Sequence, residues 1–315
     1  MTVRALFFGT PAFSVPCLDA LCDVAEVVGV VCQPDKPVGR GLILTAPPVK
    51  QRALERELPV VQPTKLRTGE FGAWVRGQDV DLALVVAYGR ILPPDVLAGP
   101  RLGCINVHAS LLPKYRGAAP ITWAVVRGET ESGVTLMQMD AGMDTGAMLE
   151  MWRIPIGPNE TAGELSDRLS ELGARAVREG VPKVAKGAYV PAPQDHAHAT
   201  LAPMLKKEDG AIDFAKGARA VHDHVRGMSP WPGAFTRLQG KVVKVLATGM
   251  GGVTPPLTAS PGDVVLADKN RVVVACGGER REALDLLRVQ LEGKKPVTAG
   301  EWVGGRGVKQ GDRLG

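Results

Sequence analysis

The 315-residue chain contains no apolar run close to the ~18 to 20 residues needed to span a bilayer. Its amino end enters a strand-like stretch, Val3-Arg4-Ala5-Leu6-Phe7-Phe8, without the pattern of a secretory signal. On this reading a membrane role is excluded and a cytoplasmic protein is expected. The five cysteines, at 17, 22, 32, 104 and 276, are odd in number, lie mostly in apolar runs and form no CxxC pair. That speaks against a disulfide framework and against a zinc site, and no metal is expected. The nucleotide-binding signatures are missing too. Gly9-Thr10-Pro11-Ala12-Phe13-Ser14 follows the first strand but lacks the second and third glycines of GxGxxG, and no phosphate loop of the GxxxxGK type is present. No serine lies in a GxSxG elbow, so the chemistry calls for a nucleophile supplied by a substrate. Aromatic residues make up 4% of the chain, which leaves base stacking little to contribute.

What is present is organised in two parts. In the first two-thirds, short β-branched runs at 3–8, 26–32, 80–87, 103–108 and 133–139 alternate with longer amphipathic stretches, the pattern of βαβ units. A Rossmann-like, mostly parallel sheet with helices on both faces is expected. Residues 161–179 carry Leu165, Leu169, Leu172, Ala176 and Val177 at helical spacing behind a Thr161/Glu164 capping box. The catalytic domain is placed at 1–186. A proline-rich stretch without sustained period, 187–205, reads as an ordered or semi-rigid linker. Beyond it, one amphipathic segment at 215–227 and strands at 234–239, 241–247, 263–267 and 271–275 predict a small OB-like β-barrel over 206–315. The net charge of +5 is unevenly distributed, −1 over 1–205 and +6 over 206–315. A basic module beside a near-neutral one points to a polyanionic partner such as nucleic acid.

The chemistry concentrates at 104–117. There an apolar strand ends in Asn106, His108 and Ser110, which share a face if the strand is extended. Strand 133–139 is expected to run parallel to it, so that Asp144, in Met139-Asp140-Ala141-Gly142-Met143-Asp144-Thr145-Gly146, emerges at the same sheet edge. An amide and an imidazole at one strand end can donate to an oxygen that is becoming negative, and a nearby carboxylate can sustain the positive charge. A turn-forming Asp, an edge-capping Asn and a structural His would give the same residue types. His196 and His198, in the linker, read as incidental.

Asn106-Val107-His108-Ala109-Ser110-Leu111-Leu112-Pro113, Tyr115-Arg116-Gly117, Met143-Asp144-Thr145-Gly146 and Phe8-Gly9-Thr10-Pro11-Ala12-Phe13 together resemble the folate-dependent formyltransferases. The resemblance extends through Gln33-Pro34-Asp35-Lys36-Pro37-Val38-Gly39-Arg40-Gly41, Ala87-Tyr88-Gly89-Arg90-Ile91-Leu92-Pro93 and Met228-Ser229-Pro230-Trp231-Pro232-Gly233-Ala234-Phe235, covering about residues 3–303. It implies transfer of the formyl group of 10-formyltetrahydrofolate to the amino group of methionine on initiator tRNA, by an enzyme expected to be a monomer. Asn106, His108 and Asp144 match the catalytic trio. Ser110, Leu111, Leu112 and Pro113 match a segment bordering the folate, and the backbone at Tyr88, Gly89, Ile91 and Leu92 would line the pterin pocket. Loop 33–49 would clamp the acceptor end through Arg40, although Leu42-Ile43-Leu44 stand where many relatives carry basic residues. Those three could wedge against the tRNA or pack on the protein. In the second domain Lys206 and Lys207, with Lys241, Lys244, Arg271, Arg280 and Arg281, are candidates for phosphate contacts. A sugar-nucleotide formyltransferase, a 10-formyltetrahydrofolate hydrolase and an RNA-binding protein with an idle site are the alternatives. The basic second domain and the Arg40 loop argue against the first two, and the intact trio argues against the third.

Overall fold

The computed structural model describes residues 2–39, 41–278 and 281–315. The chain divides into two compact units, the first comprising 1–120, 131–155 and 166–203, the second 121–130, 156–165 and 204–315. The division is therefore not a single cut. Residues 121–130 and 156–165, the short segments on either side of 131–155, belong with the carboxyl-terminal part.

The first unit is built on a seven-stranded sheet of β1 (Arg4–Gly9), β2 (Glu26–Val31), β3 (Val60–Val61), β4 (Leu82–Val86), β5 (Cys104–His108), β6 (Glu131–Gln138) and β7 (Met148–Pro155), in the order β7-β6-β5-β4-β1-β2-β3. β4, Leu-Ala-Leu-Val-Val, is buried along its whole length, as a strand covered on both faces must be. Helices α1 (Val15–Val24) and α3 (Glu70–Gly77) flank the sheet, separated in sequence by α2 (Pro48–Glu55). Phe71 and Val75 of α3 join Leu6, Phe8, Val31, Val85 and Tyr88 in one apolar cluster. Each such buried side chain contributes on the order of 1.5–3 kcal/mol. α4 (Ala162–Ala185) starts at the expected capping box: the Thr161 N–H donates to Glu164 Oε2 at 2.9 Å and the Glu164 N–H to Thr161 Oγ1 at 3.2 Å.

One expectation is overturned. β6 runs antiparallel to β5, pairing Asn106 with Met137 and His108 with Thr135. The sequence reading missed β7, which pairs antiparallel with β6 to make this side of the sheet a hairpin instead of a further βαβ repeat. Asp144 still reaches the end of β5, but it does so because the β6–β7 loop folds back.

The second unit carries β8 (Phe235–Leu238), β9 (Lys241–Met250), β10 (Val264–Ala267), β11 (Val272–Cys276) and β12 (Glu282–Leu291), in the order β8-β9-β12-β11-β10, with Val297–Thr298 also paired to β12. All its ladders are antiparallel, and register shifts on β9 and at Val264/Leu266 curl the sheet into a half-barrel. α5 (Ala218–Gly227) sets Ala218, Val221 and Val225 into its core. The last residues then bridge the two sheet edges: Leu314 pairs with Leu238 of β8, and Arg313 with Asp263 beside β10.

Candidate active site

The parallel pairing of β4 with β5 sets Val85 against Asn106, so the loop after β4 and the end of β5 open at the same sheet edge. Asn106 and His108, 9% and 6% exposed, stand two residues apart on β5. The His108 ring is oriented by the turn that follows. Nε2 lies 2.9 Å from the Tyr115 carbonyl oxygen, which can only accept, so Nε2 carries the hydrogen and donates. Nδ1 then faces Asp144, 3.7 Å from Oδ2. The Asp144 carboxylate also accepts the Gly117 N–H at 2.8 Å through Oδ2 and an Asn106 Nδ2–H at 3.5 Å through Oδ1. Asp144 has φ of 55°, in the left-handed region that Asp tolerates better than most residues. An amide carries two N–H donors, and the second on Asn106 has no partner among the described residues. The structure thus gathers an amide donor, an oriented imidazole and a carboxylate in one group.

Ser110, at 1% exposure, serves the turn. Its hydroxyl donates to the Lys114 carbonyl at 2.7 Å, and its own carbonyl accepts from Thr135 Oγ1 at 2.7 Å. Leu112 is buried, while Leu111 and Pro113 are half-buried. After β4, Ala87 and Gly89 take φ of 46° and 78°, and the turn is held by Thr10 Oγ1 and Gln33 Nε2 donating to the Tyr88 carbonyl at 3.0 and 2.9 Å. The Tyr88 ring points into the core, edge-on to Phe8 at 5.5 Å, and burial pushes its hydroxyl pKa up. Leu92 is buried, but Ile91 is 67% exposed. With Arg90, Ile91 borders a cleft of about 550 Å³ that is also lined by Lys65, Leu66 and Arg67.

Residues 3–181 match the family described as formyl transferase, and 204–307 match the formyl transferase C-terminal domain. A methionyl-tRNA formyltransferase of Sorangium cellulosum is 57% identical over 313 residues, covering 99% of this chain and all of that protein. The chain belongs to the methionyl-tRNA formyltransferase family. A second member, from Myxococcus xanthus, is 46% identical over 98% of this chain and 97% of its own. Among solved structures, the sugar 3N-formyl transferase WlaRD, determined in the presence of dTDP and 5-N-formyl-THF, has a TM-score of 0.68 at 17% identity, covering 94% of this chain and all of that one. HypX from Aquifex aeolicus in complex with tetrahydrofolic acid has a TM-score of 0.61 at 18% identity, covering 98% of this chain and 49% of that one. At these identities the two share the fold.

The remaining expected contacts are scattered. Arg40 and Arg280 lie outside the described residues. The neighbours of Arg40 form a hairpin, Lys36–Val38 against Ile43–Thr45, on which Leu42, Ile43 and Leu44 are about 70% exposed. These side chains are largely exposed here. Lys206, Lys207, Lys241, Lys244 and Arg281 are exposed. Arg271 instead turns back to Asp285 at 2.9 Å and to the Gly251 carbonyl. No helix among the described residues is long and apolar enough to cross a membrane, and no group of three or more His, Cys, Asp or Glu among them is placed to hold a metal ion.

The sequence reading missed the support behind the trio. Residues 192–202, which it took as a linker, are built into the first unit: Ala192 bridges Met148, Thr200 Oγ1 accepts the Tyr115 N–H at 2.9 Å, and Leu201–Ala202 pair with Arg116–Gly117. Gln194, 5% exposed, donates from Nε2 to the carbonyls of Asp144 and Gly146, both at 2.8 Å. Its Oε1 accepts from Arg116 Nε and Nη2 at 2.9 and 2.6 Å, and Arg116 Nη1 lies 3.2 Å from His196 Nδ1. Prolines at 191 and 193 were the signal available for a stiff segment, but nothing in the spacing marked Gln194 as a partner of residue 144.

Proposed function

We propose that the chain transfers the formyl group of 10-formyltetrahydrofolate to the α-amino group of methionine on initiator tRNA, with Asn106, His108 and Asp144 carrying the chemistry. The observation that supports this reading is the grouping of those three side chains at the open end of β5. A free α-amino group titrates near ~8, and esterification of the neighbouring carboxyl lowers that further, so no strong base is needed to present a neutral nucleophile. As the amine adds to the formyl carbon, the formyl oxygen becomes negative, and the second Asn106 N–H is a donor for it. His108 meets the reaction through Nδ1 alone, since Nε2–H is committed to Tyr115. When the new C–N bond has formed, the amine gives up one proton and the folate nitrogen that departs takes one. Nδ1 and the Asp144 carboxylate, 3.7 Å apart, are acceptors that can hold that proton between the two events.

The folate fits the residues near the trio by chemistry. The turn at 87–89 holds Ala87 and Gly89 in the left-handed region, and Lys65, Arg67 and Arg90 around the cleft match the carboxylates of the folate's glutamate in charge. On the tRNA side, Arg40 with the exposed Leu42-Ile43-Leu44 hairpin would engage the acceptor end, and Lys206 and Lys207 the backbone. An assay offering charged initiator tRNA, a UDP-amino sugar and water as acceptors tests the reading. Transfer confined to the tRNA is expected, and transfer to the sugar or to water at comparable rates would refute it.

A further inference from the structure

The Asp144 loop is gripped from behind by one side chain whose hydrogen-bonding capacity is fully used. Gln194 offers two N–H groups and two acceptor lone pairs. The first two meet the carbonyls of Asp144 and Gly146, and the second two meet the Arg116 guanidinium. Carbonyls only accept and a guanidinium only donates, so the amide has one possible orientation. One carbonyl is that of Asp144 itself and the other lies two residues on, so the two bonds pin the backbone that leaves the residue whose φ is positive and whose carboxylate faces His108. Arg116, 6% exposed, is itself fixed beside Gly117, whose N–H binds the same carboxylate. Segment 192–202 thus fastens both walls of the site, through Gln194 on the Asp144 side and through Thr200 on the Tyr115 side, where the His108 ring is anchored.

The geometry points to Gln194, backed by Arg116, as a positioning residue for the transfer reaction. Its side-chain bonds all go to protein groups, and through them it fixes the Asp144 carboxylate against His108 Nδ1. This inference rests on the assignment of Asp144 to the chemistry. A displacement of about 1 Å at a reacting group costs on the order of 10²-fold in rate. Substrate binding does not pass through these bonds, so the loss falls on kcat and spares KM.

The decisive variant is Gln194→Glu. Its shape is nearly unchanged and its bond to Arg116 becomes an ion pair, so the fold is held, but a carboxylate cannot donate to the two carbonyls. Gln194→Leu removes all four bonds. Steady-state formyl transfer to methionyl initiator tRNA, with kcat referred to the concentration of folate-binding sites, is expected to show kcat lower by ~10- to 10²-fold in both variants and KM for both substrates within about twofold. In an Asp144→Ala background, Gln194→Glu is expected to change kcat by less than about twofold, because there is no longer a carboxylate to position. A Gln194→Glu kcat within threefold of the parent, or losses that simply multiply in the double variant, would overturn the inference. A normal rate for Asp144→Ala alone would overturn the reading of the site instead, before any Gln194 variant is made.

Discussion

Asp144→Asn removes one charge from the site and replaces the oxygen that faces Asn106 with an N–H donor. Asn tolerates a φ of 55° as well as Asp does, and its amide oxygen can keep the Gly117 N–H bond now made at 2.8 Å. What is lost, together with the weak acceptor contact that Oδ1 makes to Asn106 Nδ2–H at 3.5 Å, is the carboxylate 3.7 Å from His108 Nδ1. At an effective dielectric constant of ~20, two unit charges at that distance attract by about 4 kcal/mol, a ceiling of ~10³-fold in rate reached if the ring is fully charged at the transition state. Partial charge development places the expected loss in kcat at ~10²- to 10³-fold, the range seen for loss of a stabilising group in comparable sites. The assay is single-turnover transfer of labelled formyl to methionyl-tRNA with enzyme in excess, alongside thermal unfolding to confirm that Tm is kept. A rate within threefold of the parent at unchanged Tm would show that the carboxylate is only a loop-forming group.

Gly117→Ala should cost about 2 kcal/mol, because φ there is 122° and an added Cβ would sit 2.6 Å from the Ala202 carbonyl oxygen. A fall in Tm of about 4 to 8 °C and a lower kcat are expected by calorimetry and transfer assay. Lys206→Ala and Lys207→Ala should each weaken tRNA binding and lower the slope of log K against log salt by about one, read by filter binding across a salt series; unchanged slopes would place the contacts elsewhere. Burial pushes the Cys17, Cys104 and Cys276 thiols up to about 12. Unfolded thiols ionise near ~8.5, so the unfolded state sheds its protons first. The thiols' contribution to stability should be fully present below about pH 8.5 and be lost as pH rises toward about 12, visible as a declining Tm over that range, with a shallower decline in Cys17→Ala.

The parts of the fold that could be read from sequence are those with their own periodicity. Strands at 4–9, 26–31, 82–86 and 104–108 announce themselves as short apolar runs, and the Thr161/Glu164 box marks the start of α4. Strand direction is a different matter. Nothing in Val134-Thr135-Leu136-Met137 says whether its neighbour runs with it or against it, because alternation encodes burial and not polarity. β12 was passed over because Glu282, Asp285 and Arg288 interrupt its apolar pattern, although Asp285 is partnered by Arg271. Asn106, His108 and Asp144 were legible as chemistry because their residue types are unusual where a strand ends. Gln194 was not, since its role depends on a contact 50 residues away. Ser110 misled for a related reason: the strand ends at His108, and two residues later the chain has already turned.

The closure of the half-barrel by residues 312–315 bears on handling of the protein. The Asp312 carbonyl accepts the Val264 N–H, the Leu314 N–H reaches the Gly262 carbonyl, and the Gly315 N–H reaches that of Arg237. Trimming these four residues would remove both edge bridges at once and leave β8 and β10 with bare polar backbone, the kind of rim on which sheets from separate molecules zip together. Clumping at high concentration would then accompany intact secondary structure, and an affinity handle belongs at the opposite end of the chain.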